Sequence, residues 1–238
     1  GPYWGHNALI RTAPFIEHCE LPILPGDGPL GGWILSHDQA EAVLMRRAGY
    51  EVRVMPIECG SWEENPTTLP EFVRRDLRWC QGNLQYLKLL RLPGLLPISR
   101  VQLLLAILMF ISSPAWMTLM VIGALRMMYS TTPIYDPLLI QILFWSIMSM
   151  VFAPKLASIV DALATSTGRQ GFGGTPRLLL SSFVELLYSM LLAPVMAIAH
   201  SVFISGLFFG RAVFGERSGA WCTGSAHSLH CAVFGRKP

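Results

Sequence analysis

Charged side chains are scarce in this sequence. Asp, Glu, Lys and Arg make up 14% of its 238 residues, hydrophobic residues make up 52%, and the mean hydropathy is +0.45. Ordinary soluble domains carry about 25% charged residues, and disordered chains carry few apolar ones. The composition therefore disfavours both classes and indicates a membrane protein or part of one.

Cysteine is also sparse and follows no recognisable pattern. The five cysteines show no CxxC spacing, so they indicate no disulfide framework, and their odd number suits reduced thiols facing the cytosol. The net charge of +3 comes from basic residues that flank apolar runs, where they orient helices or meet anionic lipid. We therefore expect a lipid bilayer as a partner and no nucleic acid.

Two composition regimes divide the chain. Residues 1–99 mix charged, Gly and Pro residues with short apolar runs, whereas charges nearly vanish between 101 and 211. A helix that crosses a membrane needs about 20 apolar residues to span about 30 Å. Three segments reach this length: 101–125, 137–154 and 178–210.

Loop charges orient these predicted passes, because Lys and Arg concentrate on the cytoplasmic side. Residues 126–136 carry one basic residue, whereas residues 155–177 carry three. This pattern places residues 1–100 in the cytoplasm. The segment 178–210 contains Pro194 and predicts one or two passes. Two passes are favoured because they return the basic tail to the cytoplasm.

Residues 1–83 predict an α/β domain. The apolar run 33–35 and the alternating pattern 52–54 are each typical of a strand, and a helical pattern follows each of them. Strand, helix, strand, helix is the element order of α/β domains. The expected fold is therefore a partial α/β domain followed by an α-helical transmembrane bundle.

Capping residues mark the predicted helices of this domain. Ser36 with Gln39, and Thr68 with Glu71, have the capping-box spacing that opens a helix. Gly49 stands where the first helix needs a left-handed residue at its end.

Three further regions follow the α/β domain. Residues 84–99 have the apolar spacing of an amphipathic helix that lies on the membrane surface. Residues 100–211 form the transmembrane region. Residues 212–238 are an uncertain tail, whose two Cys and two His residues match no strong zinc signature. The chain begins at Gly1 without an initiator Met or signal segment, so we expect it to start inside a longer protein.

Asp38 is the first candidate for chemistry. It falls in the first turn of a helix that follows a strand, where active sites of open α/β sheets collect. The helix dipole keeps such a carboxylate ionised, which suits a general base that takes a proton from a hydroxyl nucleophile. The alternative is that Asp38 merely complements the dipole.

A basic face is the second candidate. Arg75, Arg78 and Trp79 stand at positions i, i+3 and i+4 of the second helix, so they share one face. Arginine binds phosphate oxygens bidentately, and an indole offers a flat platform to a sugar ring. The alternative is a solvated basic face beside the membrane, with Trp79 as an interfacial anchor.

The two candidates together resemble a known family. Ser36-His37-Asp38, followed about forty residues later by Arg75-Asp76-Leu77-Arg78-Trp79, resembles the acidic ED and QxxRW motifs of processive family 2 glycosyltransferases, the membrane-coupled synthases of β-glucans, chitin and hyaluronan. The runs GHNALIR, LSHDQAEAVLMRRAGYEVRV and EENPTTLPEFVRRDLRWCQGNLQY resemble the members that make osmoregulated periplasmic glucans in proteobacteria. The resemblance covers residues 1 to about 211.

This resemblance implies a GT-A type domain, attached to the bacterial inner membrane, that transfers glucose from UDP-glucose with inversion to a growing β-1,2-glucan. Residues 1–83 are then its acceptor-side half. By motif, Asp38 is the general base, Arg75 and Arg78 bind the donor diphosphate, and Trp79 and His37 bind the acceptor. UDP-glucose, the growing glucan chain and the bilayer are the implied partners. Protein partners stay unknown.

Two features depart from the family pattern. Arg75 stands where the family has a neutral Gln, which alters the hydrogen bonding at this position and supplies a charge that can serve a phosphate. The DxD motif, which binds a divalent cation (Mg or Mn) in the family, occurs nowhere in the 238 residues. We therefore expect no metal ligands in this chain, a donor-binding half elsewhere in a longer protein, and no activity from the chain alone.

Other functions and residues stay open at this point. The product is alternatively a cellulose-like or hyaluronan-like polymer, or the chain is a transporter or scaffold that binds an anion without chemistry. His6 and Asn7 are weaker candidates for the acceptor side or are a structural pair. Glu185 and His200 lie in an apolar stretch, where polar groups are costly, and either contact glucan or lie at the interface.

Overall fold

The computed structural model describes residues 8–26, 28–54, 64, 66–129 and 136–210. Helices make up nearly all the regular structure of these residues. In chain order they are α1 (Thr12–His18), α2 (Asp38–Arg47), α3 (Leu69–Leu89), α4 (Pro97–Tyr129), α5 (Pro137–Ala164), α6 (Ser166–Gly171) and α7 (Thr175–Phe208).

The chain divides into two compact units. The first contains the described residues up to Ala115 together with those from Ile198 onward, and the second is Trp116–Ala197. Helices α4 and α7 are each divided between the two units. The first unit contains the segment before α4, the start of α4 and the end of α7.

The predicted strands do not form, and the α/β class is not confirmed. In the described part of the chain, the β pairing is a single isolated antiparallel bridge between Leu24 and Gly32. Residues 33–35 are irregular because a side chain of α3 forms hydrogen bonds with their backbone groups. The amide of Leu35 donates to Gln85 Oε1 at 2.9 Å, and the carbonyl of Trp33 accepts from Gln85 Nε2 at 3.0 Å. Residues 52–54 are also irregular, and Val54 is exposed.

The helix boundaries agree only in part with the capping patterns. Helix α2 begins at Asp38 with His37 as its N-cap, so Ser36 does not cap it. The hydroxyl of Ser36 instead lies 3.2 Å from the hydroxyl of Tyr86. Gly49 follows α2 with a φ of 87°, as predicted for a left-handed residue.

Helix α3 begins where the second capping pattern predicted. Thr68 is its N-cap, and the Thr68 hydroxyl donates to Glu71 Oε2 at 3.0 Å. The helix then continues to Leu89, so residues 84–99 do not form a separate helix on the membrane surface. Leu84 and Leu89 are buried in the core, whereas Leu87 and Leu96 are exposed, so only part of the apolar face of this stretch packs within the protein.

Three helices contain the predicted apolar segments. Helices α4, α5 and α7 have 33, 28 and 34 residues and are long and apolar enough to cross a membrane. Helix α7 runs unbroken through Pro194, in place of the two short passes that the loop charges favoured. A proline inside a helix removes one backbone hydrogen bond, which the rest of a long helix tolerates.

A hydrophobic core joins four of the described helices of the first unit. It contains residues from α2, α3, the start of α4 and the end of α7, among them Val43, Tyr86, Ile107 and Phe203. Burying one large apolar side chain stabilises a fold by about 1.5–3 kcal/mol. The core therefore holds the start of α2 and the motif of α3 in one packed body.

Candidate functional site

Helix α3 holds the loop that leads to α2. Gln85 is 1% exposed, and its side chain bonds the backbone of residues 31, 33 and 35 at 2.9 to 3.3 Å. One turn earlier, Gln81 Nε2 donates to the carbonyl of Pro29 at 2.7 Å. Buried amides that satisfy loop backbone groups fix the loop's path, because leaving those groups unpaired is costly.

Helix α3 also packs closely against Ser36. A Cβ at Gly82 would lie 2.6 Å from both the Cβ and the backbone nitrogen of Ser36, so only glycine allows this approach. The hydroxyl of Tyr86 donates to the carbonyl of Ser36 at 2.9 Å. Burial raises the pKa of Tyr86 to about 12, so the hydroxyl keeps the proton it donates. The loop is therefore clamped to α3 two residues before Asp38.

Acidic groups and one histidine form the start of α2. His37 Nδ1 lies 3.4 Å from Asp38 Oδ1 and 3.2 Å from Glu41 Oε1. The hydrogen bond with Glu41 raises the pKa of His37, although its partial burial and the charge of Arg78 oppose this. Asp38 and Glu41 stand in the first turn of α2, at the end of the helix where acidic side chains are preferred.

The two arginines of the basic motif on α3 have different neighbours. The guanidinium carbon of Arg75 lies 4.9 Å from the centroid of the Trp79 ring, a cation–π stack at the i, i+4 spacing. Arg78 is exposed, and its charge acts on the imidazole of His37. The structure therefore brings Arg78 of α3 close enough to His37 for its charge to act there, whereas Arg75 packs on Trp79 of its own helix.

The residues of α3 that hold the loop before α2 lie outside the two sequence motifs. Gln81, Gly82, Gln85 and Tyr86 were not predicted as part of the site, although a signal was present. Gln81 and Gln85 stand one helical turn apart on the face that Leu84 and Leu89 bury, and buried amides need partners. Their partners lie about fifty residues away, which the pattern alone does not reveal.

A second polar contact reaches the motif from α7. His200 is 9% exposed, and its Nε2 lies 2.5 Å from Asp76 Oδ2 on α3. Burial, and secondarily the charge of Asp76, raise the pKa of neighbouring Cys80 to about 12. His200, one of the two polar residues noted in the apolar stretch, therefore contacts the motif helix.

Glu185, the other of these polar residues, is paired within the second unit. Its Oε1 accepts from Lys155 Nζ on α5 at 2.5 Å, and Lys155 also donates to Ser189 at 2.8 Å. Charges at membrane depth are costly unless paired. The contact accounts for both charges without a glucan.

Several predicted residues fall outside the described ones, namely His6, Asn7 and the tail 212–238. Within the described ranges, no group of three or more His, Cys, Asp or Glu side chains is arranged to hold a metal ion.

Comparison with known proteins places the chain among glycosyltransferases. The pattern of "Glycosyl transferase family group 2" matches residues 1–148. "Glucans biosynthesis glucosyltransferase H" of Dickeya dadantii (strain 3937) is 40% identical over 227 residues, which are 89% of this chain and 26% of that protein. The proteins of the same name in Klebsiella pneumoniae (strain 342) and Escherichia coli (strain K12) are 42% identical over 224 residues, or 87% of this chain and 26% of each of them.

The chain thus spans about a quarter of the length of the curated relatives it matches. No solved structure matches it. The resemblance drawn from the two motifs is confirmed by these relatives. Because the family pattern covers more than half of the chain, including both motifs, the chain belongs to glycosyl transferase family group 2.

Proposed function

We propose that this chain works as the C-terminal, acceptor-side part of a glucosyltransferase in the bacterial inner membrane. In this proposal residues 1–100 are cytoplasmic, and the enzyme transfers glucose from UDP-glucose, with inversion, to a growing β-1,2-glucan for the periplasm. The observation that supports it is the clamp between α3 and Ser36, which holds the loop two residues before Asp38 against the helix that carries the basic motif. The names of the relatives support glucan synthesis.

The proposed reaction is a single displacement. A hydroxyl oxygen of the acceptor attacks C1 of the donor glucose, the bond from C1 to the diphosphate breaks, and UDP leaves with that electron pair. Asp38 takes the hydroxyl proton as the new bond forms. Attack from the side opposite the leaving group inverts the anomeric centre.

The basic motif acts on the other side of this displacement. Negative charge builds on the diphosphate as it leaves, and guanidinium groups stabilise that charge in the transition state more than in the ground state. Arg75 and Arg78 supply these groups. Trp79, whose ring already stacks with Arg75, gives the acceptor sugar an apolar face, and His37 borders the acceptor beside Asp38.

We propose a divalent cation for the complete enzyme; the DxD motif that binds it in the family does not occur in this sequence. The described residues hold no cluster of three or more ligating side chains. The steps above are therefore assigned to residues of this chain and none to the ion.

The test measures polymer formation by membranes that carry the full-length protein. Radiolabelled UDP-glucose is supplied to the wild type, to Asp38→Asn and to Glu17→Gln, which alters an exposed carboxylate on α1. We expect polymer from the wild type and Glu17→Gln, and none from Asp38→Asn, which should still bind UDP-glucose because a missing base affects chemistry more than binding. Linkage analysis then identifies the glucan.

Two outcomes would contradict the proposal. Polymer from Asp38→Asn would remove this residue from the mechanism. Membranes in which the folded wild type makes no polymer would refute UDP-glucose as the donor, and a failure with other donor sugars would refute the transferase itself.

A further inference from the structure

The side chain of His200 joins three helices at one point. Its Nε2 lies 2.5 Å from Asp76 Oδ2 on α3, and its Nδ1 lies 3.1 Å from Ser113 Oγ on α4. The ring meets Phe110 edge to face, with centroids 5.2 Å apart. The His200 and Asp76 side chains are only 11% and 20% exposed. Both ring nitrogens are therefore engaged, and the ring itself is held by packing.

Asp76 lies inside the basic motif. Each residue turns an α-helix by about 100°, so an anchor at Asp76 fixes the direction in which Arg75 and Arg78 leave α3. Arg75 also stacks on Trp79, so the same rotation sets the acceptor platform. Displacing reacting groups by about 1 Å lowers catalytic rates by up to about a hundredfold. The orientation of α3 is therefore a property that catalysis depends on.

The three groups have the composition of a hydrolytic triad, but the geometry does not favour one. Ser113 lies inside α4, whose backbone N–H groups are taken by helical hydrogen bonds. The helix therefore offers the serine no pair of free donors with which to stabilise an oxyanion. A hydrogen-bonded chain that fixes the packing of three helices agrees better with the contacts.

We propose that His200 is a positioning residue for glucosyl transfer: from α7 it holds Asp76 and so fixes the rotation of α3 at which Arg75 and Arg78 meet the donor diphosphate. The inference rests on the function proposed above. It gives α7 a part in the reaction, because this helix then carries a side chain on which the geometry of the basic motif of α3 depends.

The experiment measures kcat and the KM for UDP-glucose in membranes that carry the full-length protein, normalised to the amount of folded enzyme. For His200→Ala we expect kcat to fall at least about tenfold while KM stays within about twofold, because misplacement weakens transition-state contacts more than donor binding. His200→Gln places an amide N–H near the position of Nε2 and should recover most of the loss. Ser205→Ala, an exposed position on the same helix, should behave as wild type.

Asp76→Asn fills the same space as the wild-type side chain and provides a second variant if His200→Ala does not fold. We expect a several-fold fall in kcat with unchanged KM, and no further fall when it is combined with His200→Gln, since a coupled pair is not additive. Wild-type kcat in His200→Ala or in Asp76→Asn would overturn the inference, as would a His200→Gln protein no more active than His200→Ala. Wild-type membranes without polymer would instead refute the proposed function, before any variant is compared.

Discussion

At Gly82 a missing side chain allows the backbone before Asp38 to lie directly on α3. Glycine inside a helix costs about 0.5–1 kcal/mol relative to alanine, so the helix would be more stable locally without it. The close contact with Ser36 supplies the reason for the glycine, since any Cβ would meet backbone and not the end of a flexible side chain. One residue of α3 thus limits where the proposed base can stand.

Gly82→Ala should therefore reduce activity more than a small apolar change usually does. The added methyl group must push Ser36 away, and Asp38 moves with it, so we expect polymer formation to fall at least about tenfold. Overpacking of this kind costs about 1–3 kcal/mol of stability. Polymer formation and thermal unfolding of the purified full-length protein measure the two effects.

The matched control is Gly123→Ala in α4. A Cβ at Gly123 meets nothing within 4 Å, so this change should leave activity unaltered and favour the helix slightly. If Gly82→Ala keeps full activity, the contact with Ser36 does not position Asp38.

At the scale of elements, local signals predicted the helices better than the strands. The Thr68 and Glu71 pair and Gly49 mark real helix ends, because capping depends on residues a few positions apart. The run 33–35 has a strand pattern but bonds a side chain of α3 about fifty residues later. Residues 84–89 have an amphipathic pattern that fits a membrane surface and a protein core equally well. In the structure, Leu84 and Leu89 pack in the core.

The ion pair between α5 and α7 leads to a prediction about the stability of the protein. Lys155 and Glu185 form an ion pair between them, with Ser189 bonded to both. Each reversal alone, Lys155→Glu or Glu185→Lys, places like charges together and should lower the unfolding temperature of the detergent-solubilised full-length protein. The double reversal restores opposite charges and should recover part of the loss.

Ser158→Ala changes a polar residue on α5 whose hydroxyl bonds only its own helix and serves as the control. Single reversals that unfold at the wild-type temperature would show that the pair does not hold α5 to α7. A double variant whose loss equals the sum of the two single losses would show the same.

At the scale of the whole molecule, the site depends on contacts between distant parts of the chain. The family motifs predict that Asp38 and Arg78 act in one reaction, and this stays a prediction; the structure adds that the charges of both residues act on the imidazole of His37. The contact of Asp76 with His200, 124 residues away, was not predictable. A polar residue in an apolar helix indicates that a partner exists, but the identity of that partner depends on how the helices pack.

The orientation of the molecule in the membrane can be tested with cysteine chemistry. Maleimides react with the thiolate, so a thiol of high pKa reacts slowly. Burial raises the pKa of Cys19 to about 11 and that of Cys80 to about 12. These two cysteines can therefore remain in place, while every other cysteine of the full-length protein is replaced by serine.

In that background, Arg53→Cys introduces a thiol at a side chain that is 77% exposed, within the region expected in the cytoplasm. A membrane-impermeant maleimide should label it in inverted vesicles and not in intact spheroplasts, because the loop charges predict that residues 1–100 lie inside. Tyr129→Cys, at the exposed end of α4, should show the opposite pattern, since α4 is long enough to carry its end across the bilayer. Labelling of both sites from the same side would mean that α4 does not cross, and labelling of Arg53→Cys in spheroplasts would place the proposed donor site on the side that lacks nucleotide sugars.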